Sequence, residues 1–174
     1  ELARYLMVSR QNLSGLIGDA VVASSVSQAR ALWYLRENIS EAQRLEGVSI
    51  KHDVSLPISG IPAFLALAEK ALARTFPGVR VVAFGHLGDG NLHYNISRSE
   101  GDANSRLIEA TSAVNRVVHD LVASFGGSIS AEHGLGQLKR DEVLRYRSAE
   151  ETAMLAAVKQ LFDPRGLMNP GKVI

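Results

Sequence analysis

The stretch Phe84-Gly85-His86-Leu87-Gly88-Asp89-Gly90-Asn91-Leu92-His93 turns the chain back on itself. Asp89-Gly90 is the dipeptide of a tight two-residue hairpin, in which both central positions need positive φ. Val79, Val81, Val82 and Phe84 precede it, and Leu92, Tyr94 and Ile96 come after it, so the pattern reads as strand, turn, strand. With Asp89 and Gly90 as the loop, Gly88 falls opposite Asn91, Leu87 opposite Leu92 and His86 opposite His93. Directly opposed residues share a sheet face with Cβ atoms about 5 Å apart, close enough for two imidazoles to hold one metal ion. Asn95 lies two residues beyond His93 and points to that face as well. The spacing of Gly85, Gly88 and Gly90 fits neither the dinucleotide fingerprint nor the P-loop, and no Lys-Ser/Thr pair comes after it, which excludes a phosphate cradle.

A second constellation is Ser128-Ile129-Ser130-Ala131-Glu132-His133-Gly134-Leu135-Gly136, which sets an acid beside a histidine where a strand meets glycines. Two histidines and one carboxylate make a sound shell for a catalytic divalent metal with open positions for water or substrate. Glu132 is the expected third ligand beside His86 and His93. His133 is then left as a general base, since an unperturbed imidazole titrates near neutrality. Neighbours on a strand point to opposite faces, so Glu132 and His133 serve one site only if the backbone turns there. Two cations stand out as clamps for a substrate carboxylate: Lys51, alternating with apolar residues, and Arg36, with Ser40 one helical turn later. The competing reading of both cations is a solvated surface charge.

The 174 residues, 46% hydrophobic and 21% charged, suit one globular domain with a real core. A formal charge of +1 with interspersed signs argues against nucleic acid. The absence of cysteine excludes disulfides, thiolate zinc sites and cysteine nucleophiles. No apolar run approaches the roughly 20 residues of a membrane span, and no secretory signal is visible; the expected location is cytoplasmic. The chain opens at Glu1 with Leu2, Leu6, Leu13 and Leu16 already at helical spacing, so a piece of a longer protein is expected.

Along the chain the patterns predict a helix over 1–16, a short strand over 20–23 and a long helix over 27–42. Ile50, His52, Val54 and Leu56 alternate against Ser49, Lys51, Asp53 and Ser55, the mark of a strand ended by Pro57. Ser59 is placed to cap a helix over 61–75, with Pro62 in its first turn. After the hairpin, residues 102–125 form one amphipathic helix ended by Gly126-Gly127. A strand over 128–131, helices over 137–146 and 149–162, and a turn-rich tail from 163 complete the chain. Helices mixed with a hairpin, without a strict β-α repeat, predict an α+β fold: a mainly antiparallel sheet with helices packed on one face.

Five segments occur in order: Leu32-Trp33-Tyr34-Leu35-Arg36-Glu37, Lys51-His52-Asp53-Val54-Ser55-Leu56-Pro57, Gly85-His86-Leu87-Gly88-Asp89-Gly90-Asn91-Leu92-His93, Ser130-Ala131-Glu132-His133-Gly134, and the tail from Leu161 to Lys172 containing Asn169-Pro170-Gly171. Together they resemble the C-terminal domain of FAD-linked oxidases of the D-2-hydroxyacid type. That family includes D-lactate dehydrogenases, glycolate oxidase FAD subunits and D-2-hydroxyglutarate dehydrogenases. The resemblance covers essentially the whole chain and implies a ferredoxin-like domain. It implies that His86, His93 and Glu132 bind a divalent metal, usually zinc, and that His133 is the base. It further implies that Arg36, Ser40, Lys51 and Asn95 meet the substrate and that Asn169 reaches the flavin. The implied reaction oxidises a D-2-hydroxyacid to a 2-oxo acid by hydride transfer to FAD.

The resemblance also implies an N-terminal FAD-binding domain, which these residues do not supply, as a partner. This chain alone is then expected to be redox-inactive, with an exposed apolar face that favours a homodimer. The electron acceptor is not named by the sequence. A non-catalytic binding or assembly domain with structural histidines, and a free-standing metal hydrolase, are the rival readings.

Overall fold

A computed structural model describes residues 21–98, 101 and 103–172. The helix expected over 1–16 lies outside these residues. The chain divides into two compact units, Glu1–Glu46 and Gly47–Ile174.

The described part of the first unit holds α1 (Val26–Glu37) and α2 (Ile39–Glu46). Ser25 caps α1 by accepting from the Gln28 N–H at 3.1 Å. The single helix expected over 27–42 is interrupted at Asn38, whose side-chain amide donates to the Tyr34 carbonyl at 2.8 Å. An asparagine that takes a backbone carbonyl competes with the helix ladder, and Arg36 and Ser40 end up on different helices. Residues 21–23, expected in a strand, carry no regular structure.

The second unit is built on an antiparallel sheet of β1 (Ser49–Ile50), β2 (Asp53–Ser55), β3 (Arg80–His86) and β4 (Asn91–Ser97). β4 is central, with β3 on one side and β1 and β2 on the other. The strand expected over 49–56 is cut in two, yet both pieces keep one register, Ile50 against Ile96 and Asp53 against His93. The interruption falls where the His52 ring occupies the Tyr94 carbonyl at 2.8 Å. Residue 128 joins the far edge through a single antiparallel bridge to Ser55. The strand expected over 128–131 is reduced to that bridge. Across the sheet the segments therefore run 128, 49–55, 91–97, 80–86, with a helix after the first strand and another after the hairpin. That is the split β-α-β-β-α-β arrangement, an α+β fold with an open antiparallel sheet.

The helices are α3 (Ile61–Thr75), α4 (Asn104–Glu109), α5 (Thr111–Ser124), α6 (Arg140–Tyr146) and α7 (Ala149–Phe162). Pro62 does sit in the first turn of α3, but Gly60 and not Ser59 occupies the cap, because Ser59 lies inside a short 3-10 turn, Ile58–Gly60. The helix expected over 102–125 breaks at Ala110 into α4 and α5. α6 starts three residues later than the expected 137, after a turn. α7 matches its expected bounds, held by a reciprocal Ser148–Glu151 capping box.

One sheet face makes the core. Ile50, Val54, Leu56, Leu92, Tyr94 and Ile96 pack with Phe64, Ala68 and Leu72 of α3 and Val114, Val118 and Val122 of α5. Phe64 meets Tyr94 and Phe125 edge-on at 5.3 and 6.1 Å. With the helices on that face, the other face of the same strands is left for polar residues, as antiparallel sheets allow.

Candidate metal centre

Strand alternation selects which residues reach the open face. His93 and Asn95 of β4 lie there, as do Phe84 and His86 of β3, because Phe84 pairs with His93. Asp53 pairs with His93 from the other side, and the same register sets Lys51 opposite Asn95. The hairpin is longer than the two-residue loop expected. A short 3-10 turn, Leu87–Asp89, and left-handed Gly90 close it, and His86 pairs with Asn91 instead of His93. The register is thus displaced by two residues. A displacement of one would have turned His86 to the core; two leaves both histidines on one face as diagonal neighbours. Their ring centroids are 6.5 Å apart.

The Glu132-His133 pair arrives from the opposite edge. Ser55 and Ser128 exchange backbone hydrogen bonds at 2.9 Å, and the Ala131 N–H then donates to the Asp53 carbonyl at 3.1 Å. Three steps on the loop oppose two on β2, so the loop carries one extra residue, the geometry of a bulge that re-aims the next side chains. This is the turn of the backbone that the Glu-His pair requires. Gly127 permits the approach: a Cβ there would stand 2.3 Å from the Ser55 carbonyl oxygen.

The result is a cluster of three histidines and two carboxylates. Asp53, His93 and Glu132 each present one ligand atom, all within 4.8 Å of one another. The His86 Nδ1–H donates to Glu132 Oε1 at 2.7 Å. His93 lies 6.1 Å from the His133 ring and 5.1 Å from the Phe84 ring, centroid to centroid. Asp53 Oδ2 accepts from the Glu132 and His133 N–H groups at 2.9 and 2.7 Å and faces His133 Nδ1 at 3.3 Å. Asp53 Oδ1 stands 3.5 Å from His93 Nδ1; it is buried and accepts no hydrogen bond among the described residues. Burial pushes the Asp53 carboxyl up, but the His133 and Glu132 N–H groups and the two imidazoles outweigh it and hold the group below its usual value.

Asp53 escaped the sequence reading, which set it on the outward side of an alternating strand beside Lys51. It is instead buried. The available signal was that shared face: Asp53 and Lys51 are two residues apart in the segment that precedes Pro57. Lys139, which the sequence reading did not single out, lies within electrostatic range of Asp53. Burial pushes its ammonium group down, while the carboxylates of Asp53 and Glu142 act the other way.

The other predicted residues divide. Lys51 is exposed and Asn95 buried, both in the register of the site face. Arg36 and Ser40 belong to the first unit, where the Arg36 guanidinium lies over the Trp33 ring at 5.7 Å. Asn169 sits in the tail after α7 with φ +46, a left-handed turn that asparagine tolerates, and its carbonyl accepts from Lys172 N–H at 3.3 Å. The remaining two of the five histidines take no part. His52 is buried on the core face, where burial pushes its pKa down to about 4 against the opposing Tyr94 carbonyl. His119 is buried as well and reaches Glu142 at 3.1 Å, linking α5 to α6.

The donor set fits a divalent cation. Two carboxylates brought together over imidazoles, one with a buried oxygen lacking a hydrogen bond, carry negative charge that a cation would balance.

Known proteins match the chain over most of its length. A D-2-hydroxyglutarate dehydrogenase of Xanthomonas citri pv. viticola is 42% identical over 159 residues, 91% of this chain and 34% of that protein. The mitochondrial D-2-hydroxyglutarate dehydrogenase of Arabidopsis thaliana is 38% identical over 174 residues, 100% of this chain and 29% of its own length. The Danio rerio protein of the same name is 36% identical over 163 residues, 92% and 29% respectively. The chain thus spans about a third of the length of the curated relatives it matches. The family model described as FAD linked oxidases, C-terminal domain, matches residues 1–173, and the chain belongs to that family.

Proposed function

We propose that this chain is the substrate- and metal-binding domain of an FAD-dependent dehydrogenase that oxidises a D-2-hydroxyacid to a 2-oxo acid. The observation that carries this reading is the convergence of Asp53, His93 and Glu132, with His86 bonded to Glu132, on the sheet face away from the core. D-2-hydroxyglutarate is the first substrate to test, because it is named in the relatives above. FAD would be held mainly by an N-terminal domain of the whole protein, with Asn169 as this chain's contact.

A divalent cation, zinc in the first instance, would be held by His86, His93 and Glu132 and would supply a Lewis acid that lowers the pKa of the substrate hydroxyl. FAD supplies the hydride acceptor. This chain's residues do the rest. Lys51 and Arg36 hold substrate carboxylate, Arg36 by a two-pronged contact, with Ser40 and Asn95 adding hydrogen bonds. His133 takes the 2-hydroxyl proton at Nε2, since its Nδ1 faces Asp53 at 3.3 Å. Together with the C2 hydride that FAD would accept when bound, this proton transfer would balance the oxidation to the 2-oxo acid. Among the described residues no helix is long and apolar enough to cross a membrane. The cytoplasmic location stays part of the proposal, set against plant and fish relatives named as mitochondrial.

The test is elemental analysis of the purified protein and of a His86→Ala/His93→Ala variant. One equivalent of zinc or manganese, lost in the variant, is expected. In the whole protein, His86→Ala is expected to abolish turnover with FAD still bound. Turnover at the wild-type rate in that variant would refute the metal role.

A further inference from the structure

We propose that Asp53 is the positioning residue that assembles this metal centre; the inference rests on the metal-binding reading above. Asp53 contacts two arms of the cluster directly, the bulged loop and β4, and reaches His86 only through Glu132. Through Oδ2 it holds the Glu132 and His133 N–H groups at 2.9 and 2.7 Å. Its own carbonyl takes the Ala131 N–H at 3.1 Å, so backbone and side chain together pin the bulged loop to β2. Across the ladder it is the direct partner of His93, with Oδ1 at 3.5 Å from Nδ1.

The two oxygens do different work. Oδ2 fixes where Glu132 leaves the backbone, and Glu132 in turn orients His86 at 2.7 Å. Oδ1 has no hydrogen bond of its own and is buried. A metal-ligating histidine generally gives its second ring N–H to a carboxylate, which fixes both tautomer and ring plane. Oδ1, 3.5 Å from His93 Nδ1 and without a hydrogen bond of its own, is the oxygen placed to take that proton, which would leave the Nε2 lone pair for a cation. One buried carboxylate therefore sets the position of Glu132 and His133 from one strand and the tautomer of His93 from the next.

Two substitutions separate these tasks. Asp53→Ala removes both oxygens. Asp53→Asn keeps a carbonyl oxygen for the two N–H groups but turns an NH2 toward His93, where it donates to Nδ1 and moves the ring proton to Nε2. Zinc affinity is measured by chelator competition, the His93 tautomer by ring-nitrogen NMR, and the loop by hydrogen exchange at the Glu132 and His133 amides. Asp53→Asn is expected to weaken zinc binding about 10- to 100-fold, with the His93 tautomer reversed and the two amides still slow. Asp53→Ala is expected to weaken zinc to a similar degree and to raise exchange at both amides at least about tenfold. If Asp53→Ala does not fold, Asp53→Asn alone decides. Asp53→Asn that binds zinc within about threefold of wild type, with the His93 tautomer unchanged, overturns the positioning role. A wild-type protein that binds no zinc refutes the metal reading itself. The amides of Asp53→Ala would then still test the pin, and unchanged exchange there would overturn it.

Discussion

Gly90→Ala should damage the fold far more than Gly88→Ala, although both glycines lie in the same four-residue turn. Gly90 sits at φ +70, and a Cβ built on it would stand 2.1 Å from the Leu56 carbonyl oxygen. A left-handed alanine costs about 1 kcal/mol before any contact is considered. Relieving the contact means moving backbone by about 1 Å in a close-packed region. That movement breaks the bond from the Leu56 N–H to the Gly90 carbonyl, 2.9 Å long, worth about 1 kcal/mol net. The sum, about 2–4 kcal/mol, is a fall of roughly 30- to 1,000-fold in the folding constant. Gly88 faces open space, with nothing within 4 Å of a built Cβ and no positive φ. Alanine there should be neutral or stabilise by up to about 1 kcal/mol, through a less flexible unfolded chain. Urea melts of the two variants and wild type give the comparison directly. Because His86 precedes the turn and His93 lies beyond it, Gly90→Ala should also weaken zinc binding. Equal stability of the two variants, or a loss below about 1 kcal/mol at Gly90, would refute the packing argument.

Two further outcomes concern the core face. His52 titrates at about 4 in the folded protein and near 6.5 when unfolded, so its contribution is fully present above 6.5 and is lost as pH falls through 4. Stability against urea should drop by an amount on the order of 3 kcal/mol across that window, and the drop should shrink in His52→Gln; equal slopes in both proteins would contradict it. Phe64→Ala should cost about 3–5 kcal/mol, since Phe64 is fully buried between Tyr94 and Phe125, and calorimetry should show a lower Tm with no change in far-UV helix signal at low temperature.

Legibility in the sequence divides on whether the signal is local. Ile50, His52, Val54 and Leu56 alternate because one strand face is buried, and all four are buried in the structure. The bounds of α7 were legible from local spacing, and the structure adds the Ser148–Glu151 capping box that the sequence reading did not name. The helix interruptions at Asn38 and Ala110 were missed because apolar spacing runs across them unbroken. The hairpin register was misplaced because Asp-Gly is also compatible with a longer turn that ends on a left-handed glycine. That error did not move the histidines off the site, since the side-chain period of a strand is two and the displacement was two.

The same reasoning explains why Asp53 stayed hidden while His86, His93 and Glu132 did not. Those three lie within three residues of turn glycines, where candidate ligands stand out by type and context. Asp53 is marked by none of this. Its role arises where β2 meets both β4 and the bulged loop, contacts separated by 40 residues on one side and 79 on the other. An acid on an alternating strand is usually solvated, so its sequence pattern points outward. Only the arrival of residues 128–133 along the free edge of β2 turns that outward face inward. The chemistry of the site can therefore be read in short motifs, whereas its assembly depends on a pairing that no short motif contains. A substitution that spared all three expected ligands and removed only this carboxylate should still weaken zinc binding about 10- to 100-fold.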